Sequence, residues 1–374
     1  MPSLTFELAT SADDPALRAL LRRIPIPGDV CLTFEREPSY FAACEIEGSF
    51  HQTIVARSLE TGQIVGFANR SVRELYVNGT VQPVGYLSQL RAESAHSWGL
   101  SLARSVMHAF AFCRGLHSDS RAPFYLMSIV AANERARRLL TSSLGGMPKV
   151  EEYTLFRIYA IALGRRKPSL PLSDGLELRR ATGVDSNEIL SCLHRNGKRH
   201  QFAPRWTKQA LFGTDGTGGL SPERFFLTTD GGRIVSCLAS WDQSDFKQAM
   251  VRGYSSRLGR WRPFLNFAAR LTGWPPLPSV GMPVKQCFAS HLAVDHDDVD
   301  LFAPLLRAVY NDAAERGASY LLLGLPDAHP FRPIVEAYRH ISYPSQLYLV
   351  GWEDSWEAMA RVDRRIPGVE AAVL

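Results

Sequence analysis

The chain has 374 residues, 45% hydrophobic and 21% charged, enough apolar material for two cores of ordinary size, which excludes a small single module and a largely disordered chain. A formal net charge of +5 spread over this length is too weak to imply a nucleic-acid partner without a localised patch. The longest apolar runs, such as residues 320–325, fall far short of the roughly 20 residues that span a bilayer, and Met1-Pro-Ser-Leu-Thr-Phe-Glu7 has neither a basic nor an apolar leader segment. No membrane partner and a cytoplasmic location are therefore expected. Cys31, Cys44, Cys113, Cys192, Cys237 and Cys287 lie far apart without a CxxC pair, so free thiols are expected rather than a zinc cage or a disulfide framework.

In chain order, Glu7-Leu-Ala-Thr-Ser-Ala-Asp13 reads as a strand and a capped turn leading into a helix over 15–22. Segments 63–75 and 81–90 flank Val77-Asn-Gly-Thr80, and Asn-Gly between two apolar runs predicts a tight β-hairpin. A helix over 99–115 and strands over 124–130 and 153–161 complete the first segment. The Pro, Gly, Ser and charge cluster at 163–175 reads as a linker. Beyond it the order repeats: Arg180-Ala-Thr-Gly-Val-Asp185 leads into a helix over 187–193, and a strand ending near Val294 precedes a helix over 299–317 and strands over 319–325 and 346–352. The expectation is an α/β chain with a mixed sheet, two tandem copies of one domain at 1–162 and 176–352, and a tail at 353–374. Residues 263–284, with Trp274-Pro-Pro-Leu-Pro278, read as a loop inserted in the second copy, with some helix at 264–271. The basic and aromatic run 252–262 just before it fits either phosphate binding or a solvated loop with snorkelling arginines.

The stretch from Tyr86 to Arg104 carries most of the chemistry. A strand runs into a turn with Gly99 and Ser101, and a long helix starts there, so unpaired backbone N–H groups and the positive end of a helix converge as a pyrophosphate would need. The residues His96, Gly99 and Ser101 resemble the fingerprint Q/R-x-x-G-x-G/A of the GNAT acyltransferase superfamily. Ala132-Asn-Glu-Arg-Ala-Arg-Arg-Leu-Leu140 followed by Gly145-Gly146 resembles its second motif, N-x-x-A-x-x-L and a glycine turn. The resemblance covers most of residues 5–161. It implies a mixed-sheet GNAT fold and an acyl-coenzyme A, acetyl-CoA or another, held by Leu90, Arg91, Ala92, His96, Ser97, Trp98, Gly99, Leu100, Ser101 and Asn133. Three positions depart from the pattern: His96 replaces Arg or Gln, Ser101 replaces Gly or Ala, and Leu140 stands where many members carry a tyrosine general acid.

Glu74 and Glu93 are the carboxylates placed to take a proton from an acceptor amine, with solvated surface residues as the plain alternative. Asn133 fits cofactor contact and helix capping alike. Ala95-His-Ser-Trp-Gly99 also looks like a nucleophile elbow with Ser97 as nucleophile, but the polar Arg91–Ser94 segment and the lack of an upstream oxyanion segment argue against it. In the second copy Asp295-His-Asp-Asp-Val-Asp300 replaces the glycine turn, and its carboxylates would repel pyrophosphate. With His291 and His296 they suggest either a metal site or helix capping, and capping is the simpler reading. The expected activity is transfer of an acyl group from acyl-CoA to a small-molecule or peptide amine in a ternary complex, the second copy shaping the acceptor site. A non-catalytic acyl-CoA-binding protein is the competing class, and nothing in the sequence argues against a homodimer.

Overall fold

The repeated start of the two segments is built from the same bonds. In the first, the Asp13 carboxylate accepts from the backbone N–H of Thr10 at 2.8 Å, and in the second Asp185 accepts from Thr182 at 2.7 Å. In each the aspartate N–H returns a bond to the threonine carbonyl at 3.0 Å, closing a capping box ahead of a helix. An arginine from a neighbouring strand then pairs with each aspartate, Arg57 with Asp13 and Arg179 with Asp185. The hairpin also forms as the sequence predicts, with Asn78 and Gly79 both at positive φ (53° and 83°), as a primed turn requires.

The computed structural model describes residues 4–93, 99–142, 145–213 and 220–374, with the backbone alone at 99–101 and 270. The first half comprises β1 (Leu4–Leu8), α1 (Asp14–Arg23), β2 (Val30–Glu35), α2 (Tyr40–Cys44), β3 (Phe50–Ser58), β4 (Ile64–Val77), β5 (Thr80–Ala92), α3 (Gly99–His117), β6 (Tyr125–Val130), α4 (Glu134–Leu140) and β7 (Lys149–Ala162). The second comprises β8 (Leu176–Arg180), α5 (Ser186–Gly197), α6 (Lys208–Phe212), β9 (Phe225–Asp230), β10 (Arg233–Trp241), β11 (Gln248–Tyr254), α7 (Ser256–Thr272), β12 (Gln286–Val294), α8 (Val299–Glu315), β13 (Tyr320–Pro326), α9 (Arg332–Glu336), β14 (His340–Gly351) and α10 (Trp356–Ala360). Among the described residues no helix is long and apolar enough to cross a membrane.

Twelve strands form one sheet in the order β1-β3-β4-β5-β6-β14-β7-β13-β12-β10-β9-β8, and β2 pairs with β11 in a separate ribbon. The two halves exchange their last strands. β14 lies between β6 and β7, and β7 lies between β14 and β13, all antiparallel. Each half otherwise repeats the other: β5 meets β6 in parallel over Gly85–Leu87, and β12 meets β13 in parallel over Gln286–Phe288. Helix α3 packs on one face of the first half with Val106, Phe110 and Cys113, and α8 covers the second with Phe302, Leu305, Leu306 and Val309. The segment read as an inserted loop with some helix at 264–271 has that helix, as the second part of a longer α7, which starts at Ser256 on a Ser255 cap whose hydroxyl accepts from the Leu258 N–H and runs through Pro263 to Thr272; residues 273–284 form the loop. The tail is also ordered into the fold: Gln201 exchanges backbone bonds with the 366–368 segment, and Ala372 and Val373 are buried.

Candidate active site

The geometry of the site begins where β5 and β6 part. Their parallel pairing ends at Leu87 and Met127, after which β6 follows β14, with Ala131 N–H donating to Pro344 O at 2.8 Å, while β5 stays with β4. The two strands approach so closely before parting that a Cβ on Gly85 would stand 2.0 Å from the Tyr125 ring. Just past this point β5 bulges. Gln89 takes a left-handed conformation at φ 56°, and residues 89–90 stand opposite a single residue of β4. From Ser88 to Ala92 one edge of β5 therefore faces a gap inside the sheet with no strand beside it among the described residues. The side-chain oxygens Ser88 Oγ and Gln89 Oε1 are buried there without hydrogen-bond partners among those residues. Helix α3 starts at Gly99, shortly beyond the end of that edge.

On the face of β4 turned towards α1 and α2, polar side chains replace the expected apolar layer. Asn69 stands opposite Ser88, and Ser71 opposite Tyr86. Tyr86 bridges to β6 through a 2.7 Å hydroxyl contact with Ser128. Burial pushes the Tyr86 phenol up to about 12, so it keeps its proton at neutral pH. Asn69 connects the stripe to a buried ionic cluster: it donates to Glu47 at 3.3 Å and its carbonyl oxygen accepts from the Tyr40 hydroxyl at 2.7 Å. Glu47 is paired with Arg36, both side chains being almost wholly buried, and Lys247 of the second half reaches the same carboxylate at 3.6 Å. Burial alone would raise the Glu47 carboxyl; Arg36, then Lys247 and Asn69, overcome it and hold it below the usual range. Burial pulls the Lys247 ammonium down to about 8 against the attraction of Glu47.

Arg73, two residues further along the same face of β4, closes this pocket against the second half. Its guanidinium donates to the Ile46 carbonyl and lies 5.0 Å from the Trp206 ring, and it has no ion pair among the described residues. Burial lowers it to about 10, with Glu370 and Glu47 acting the other way from a distance. Glu370 accepts from the N–H groups of His291 at 2.6 Å and Ala372 at 3.0 Å, and burial raises its carboxyl.

The expected site residues divide. Leu90, Arg91 and Ala92 form the far part of the open β5 edge. Leu90 is exposed, and burial lowers the guanidinium of Arg91, which is near Arg36. Gly99, Leu100 and Ser101 are the first residues of α3, while His96, Ser97 and Trp98 lie outside the described residues. Asn133 caps α4, its Oδ1 accepting from Ala136 N–H at 3.1 Å. Leu140 is buried in the first core. Glu93 ends the edge and pairs with Arg23 at 2.9 Å. Glu74 stands opposite Pro83 at the far end of the hairpin and is exposed, roughly 30 Å along the strands from Glu93 at about 3.3 Å per residue. The two glutamates are not brought together. Glu47, Asn69, Tyr86 and Lys247 were not found from the sequence; a buried Asn-Arg-Ser run inside an otherwise apolar strand at 69–71 was the signal available.

The second half repeats the cleft and fills it. His291 takes the bulge position of Gln89, at φ 55° with Ser290 before it and Leu292 after it, as Ser88 and Leu90 flank Gln89. Here, however, the gap between β12 and β13 is lined by the chain's own Pro367, Gly368, Val369 and Glu370, leaving a cavity of about 60 Å³. The acidic turn is neutralised by arginines: Asp295 pairs with Arg195 and Arg233, Asp297 with Arg199, and Asp298 caps α8. His291 lies among Trp206, Trp241 and Phe225, and burial lowers it to about 3. A different trio, His200, Asp297 and His329, brings its ligand atoms within 4.8 Å of one another. Its members are bonded internally: His200 Nε2 lies 3.2 Å from Asp297, and His329 Nδ1 accepts from Phe331 N–H at 3.3 Å.

No family model and no curated protein match the chain. Solved structures do. A GCN5-related N-acetyltransferase from Sphaerobacter thermophilus superposes with a TM-score of 0.54 at 13% identity, over 99% of this chain and 98% of that one. N-myristoyltransferase from Saccharomyces cerevisiae with bound myristoyl-CoA gives 0.59 at 13%, over 94% and 84%. A GCN5-related glucosamine N-acetyltransferase region of a fungal multi-domain GH3 β-N-acetylglucosaminidase gives 0.58 at 11%, over 93% and 38%. The chain has a tandem GNAT-like fold on one mixed sheet.

Proposed function

We propose that the chain is an acyl-coenzyme A-dependent N-acyltransferase whose cofactor site is the β5–β6 cleft of the first half. The observation that carries this is the unpaired interior edge of β5 at 88–92, opened by the Gln89 bulge and followed by the start of α3. An extended pantetheine arm pairs with such an edge as an added strand, and the first turn of a 19-residue helix offers N–H groups and a positive dipole to the pyrophosphate. The fold of acyl-CoA-binding neighbours supports the same reading.

In this reading the acceptor enters on the polar face of β4. Its nitrogen attacks the thioester carbonyl, the C–S bond breaks, the departing thiolate takes a proton from Tyr86, since Leu140 has none to give, and the proton the nitrogen sheds passes through water to the Tyr86 phenolate. Arg73, without an ion pair of its own among the described residues, draws an anionic group on the acceptor, so amines that also carry a carboxylate or phosphate are the favoured substrates. The acyl group is acetyl or longer. The test is release of free thiol from acetyl-CoA and a longer acyl-CoA with a panel of amines, each with and without an acidic group. Turnover with the acidic members supports the reading. Tight coenzyme A binding without turnover of any amine would favour a non-catalytic binder instead.

A further inference from the structure

Helix α7 is turned inside out relative to an ordinary surface helix. Its polar side chains face the protein: Arg262 donates to the Leu277 carbonyl and to Ser279, and Asn266 exchanges two bonds with the Leu277 backbone at 3.0 and 2.7 Å. Its large apolar side chains face outward, with Trp261 55%, Phe264 61%, Phe267 61% and Leu271 79% exposed. At 100° per residue these four share one side of the helix, opposite Arg262 and Asn266. So much contiguous apolar surface is not the scatter of single residues that needs no explanation. The charge along this stretch of chain is one-sided: between Asp245 and Asp295 it has no acidic residue, and α7 exposes Arg257 and Arg260, with Asp29 meeting only the Ser255 cap at its N-terminus.

We propose that the outer face of α7 is an interfacial docking surface for a membrane with anionic headgroups. Tryptophan, phenylalanine and leucine between arginines is the composition that sinks a helix to the depth of the acyl-chain boundary while its cations meet lipid phosphates. A second copy of the chain is the poorer occupant. In a twofold dimer this face would meet itself, setting the exposed Arg257 and Arg260 of both copies in one interface. The expectation of no membrane partner rested on the absence of a spanning segment, which an in-plane helix does not need. Strand β11 connects the face to the acceptor pocket: it begins beside Lys247 and ends two residues before α7, a distance of roughly 25 Å at 3.4 Å per residue.

The test is co-sedimentation of the full chain with vesicles of phosphatidylcholine alone and of phosphatidylcholine mixed with phosphatidylglycerol. Binding to the mixed vesicles, weakening with salt, is expected. Arg257→Gln with Arg260→Gln should lower the partition coefficient about thirty-fold, each cation near an anionic surface being worth roughly a factor of five. Phe264→Ser with Phe267→Ser should abolish binding, and melting at the wild-type temperature would show that these exposed positions leave the fold intact. Should a variant misfold, quenching of wild-type tryptophan fluorescence by brominated lipid in the mixed vesicles decides without it. No sedimentation and no quenching with mixed vesicles, equal binding by both variants, or a wild-type dimer that the phenylalanine variant dissociates would each overturn the proposal.

Discussion

Replacing Arg36 by methionine isolates the buried charge under the acceptor pocket. The Arg36 and Glu47 side chains are 3% and 1% exposed, and removing one partner of such a pair costs about 3–5 kcal/mol because the other charge stays buried. Lys247 at 3.6 Å and Asn69 at 3.3 Å remain to compensate Glu47, which places the cost near the low end, about 3 kcal/mol. With about 2.1 cal/mol/K of unfolding entropy per residue, roughly 0.8 kcal/mol/K for the 374-residue chain, Tm should fall by about 4 °C if the continuous sheet unfolds as one unit. The pH dependence is specific. In the wild type the Glu47 carboxyl is held low, so its contribution is present above the unfolded value, about 4.3, and is lost as pH falls through the folded one. In the variant burial dominates and the carboxyl rises, so the gap between the two proteins should be widest at neutral pH and should narrow as pH falls towards 4. Adding Glu47→Gln to Arg36→Met should recover part of the loss. Scanning calorimetry across this pH range measures all three, and a Tm gap that stays constant with pH would refute the argument that an uncompensated Glu47 causes it.

Four further outcomes are expected. Gly99→Glu should reduce coenzyme A affinity in calorimetry by at least tenfold, since a carboxylate at the start of α3 repels the pyrophosphate; wild-type affinity would remove the cofactor from this cleft. Tyr86→Phe should lower kcat about a hundredfold with KM little changed; undiminished turnover would mean that the thiolate is protonated by another group. Arg73→Met should raise KM for acidic amines and leave neutral ones unaffected, and an equal effect on both would end its assignment to the acceptor. Residues 176–374 expressed alone should fail to give a cooperative melt, because β14 finds all its strand partners in the first half, and a sharp transition in that fragment would contradict the exchange.

What was legible in the sequence was local. The two capping boxes and the Asn78-Gly79 turn need only residues within a few positions of one another, and all three form with the expected bonds. The exchange of β7 and β14 has no local mark, because an apolar strand reads the same whichever half it pairs with. The bulges at Gln89 and His291 lack the glycine that usually announces a left-handed residue; the duplication of Ser-x-Leu around both is visible only once their registers are known. Glu47, Asn69 and Lys247 meet across some two hundred residues of chain, which no spacing rule captures. Helix α7 was legible only in its 264–271 stretch: Pro263 and the later Trp-Pro-Pro argued for a loop around it, and its apolar stripe faces solvent instead of a core.

A crystal of the full chain soaked with acetyl-coenzyme A tests the central claim most directly. The account predicts density for one cofactor, its pantetheine arm along Ser88–Ala92 and its pyrophosphate at the first turn of α3, with the second cleft still filled by Pro367–Glu370. Cofactor lying between β12 and β13 with the tail displaced, or a first cleft that stays empty under saturating ligand, would contradict it.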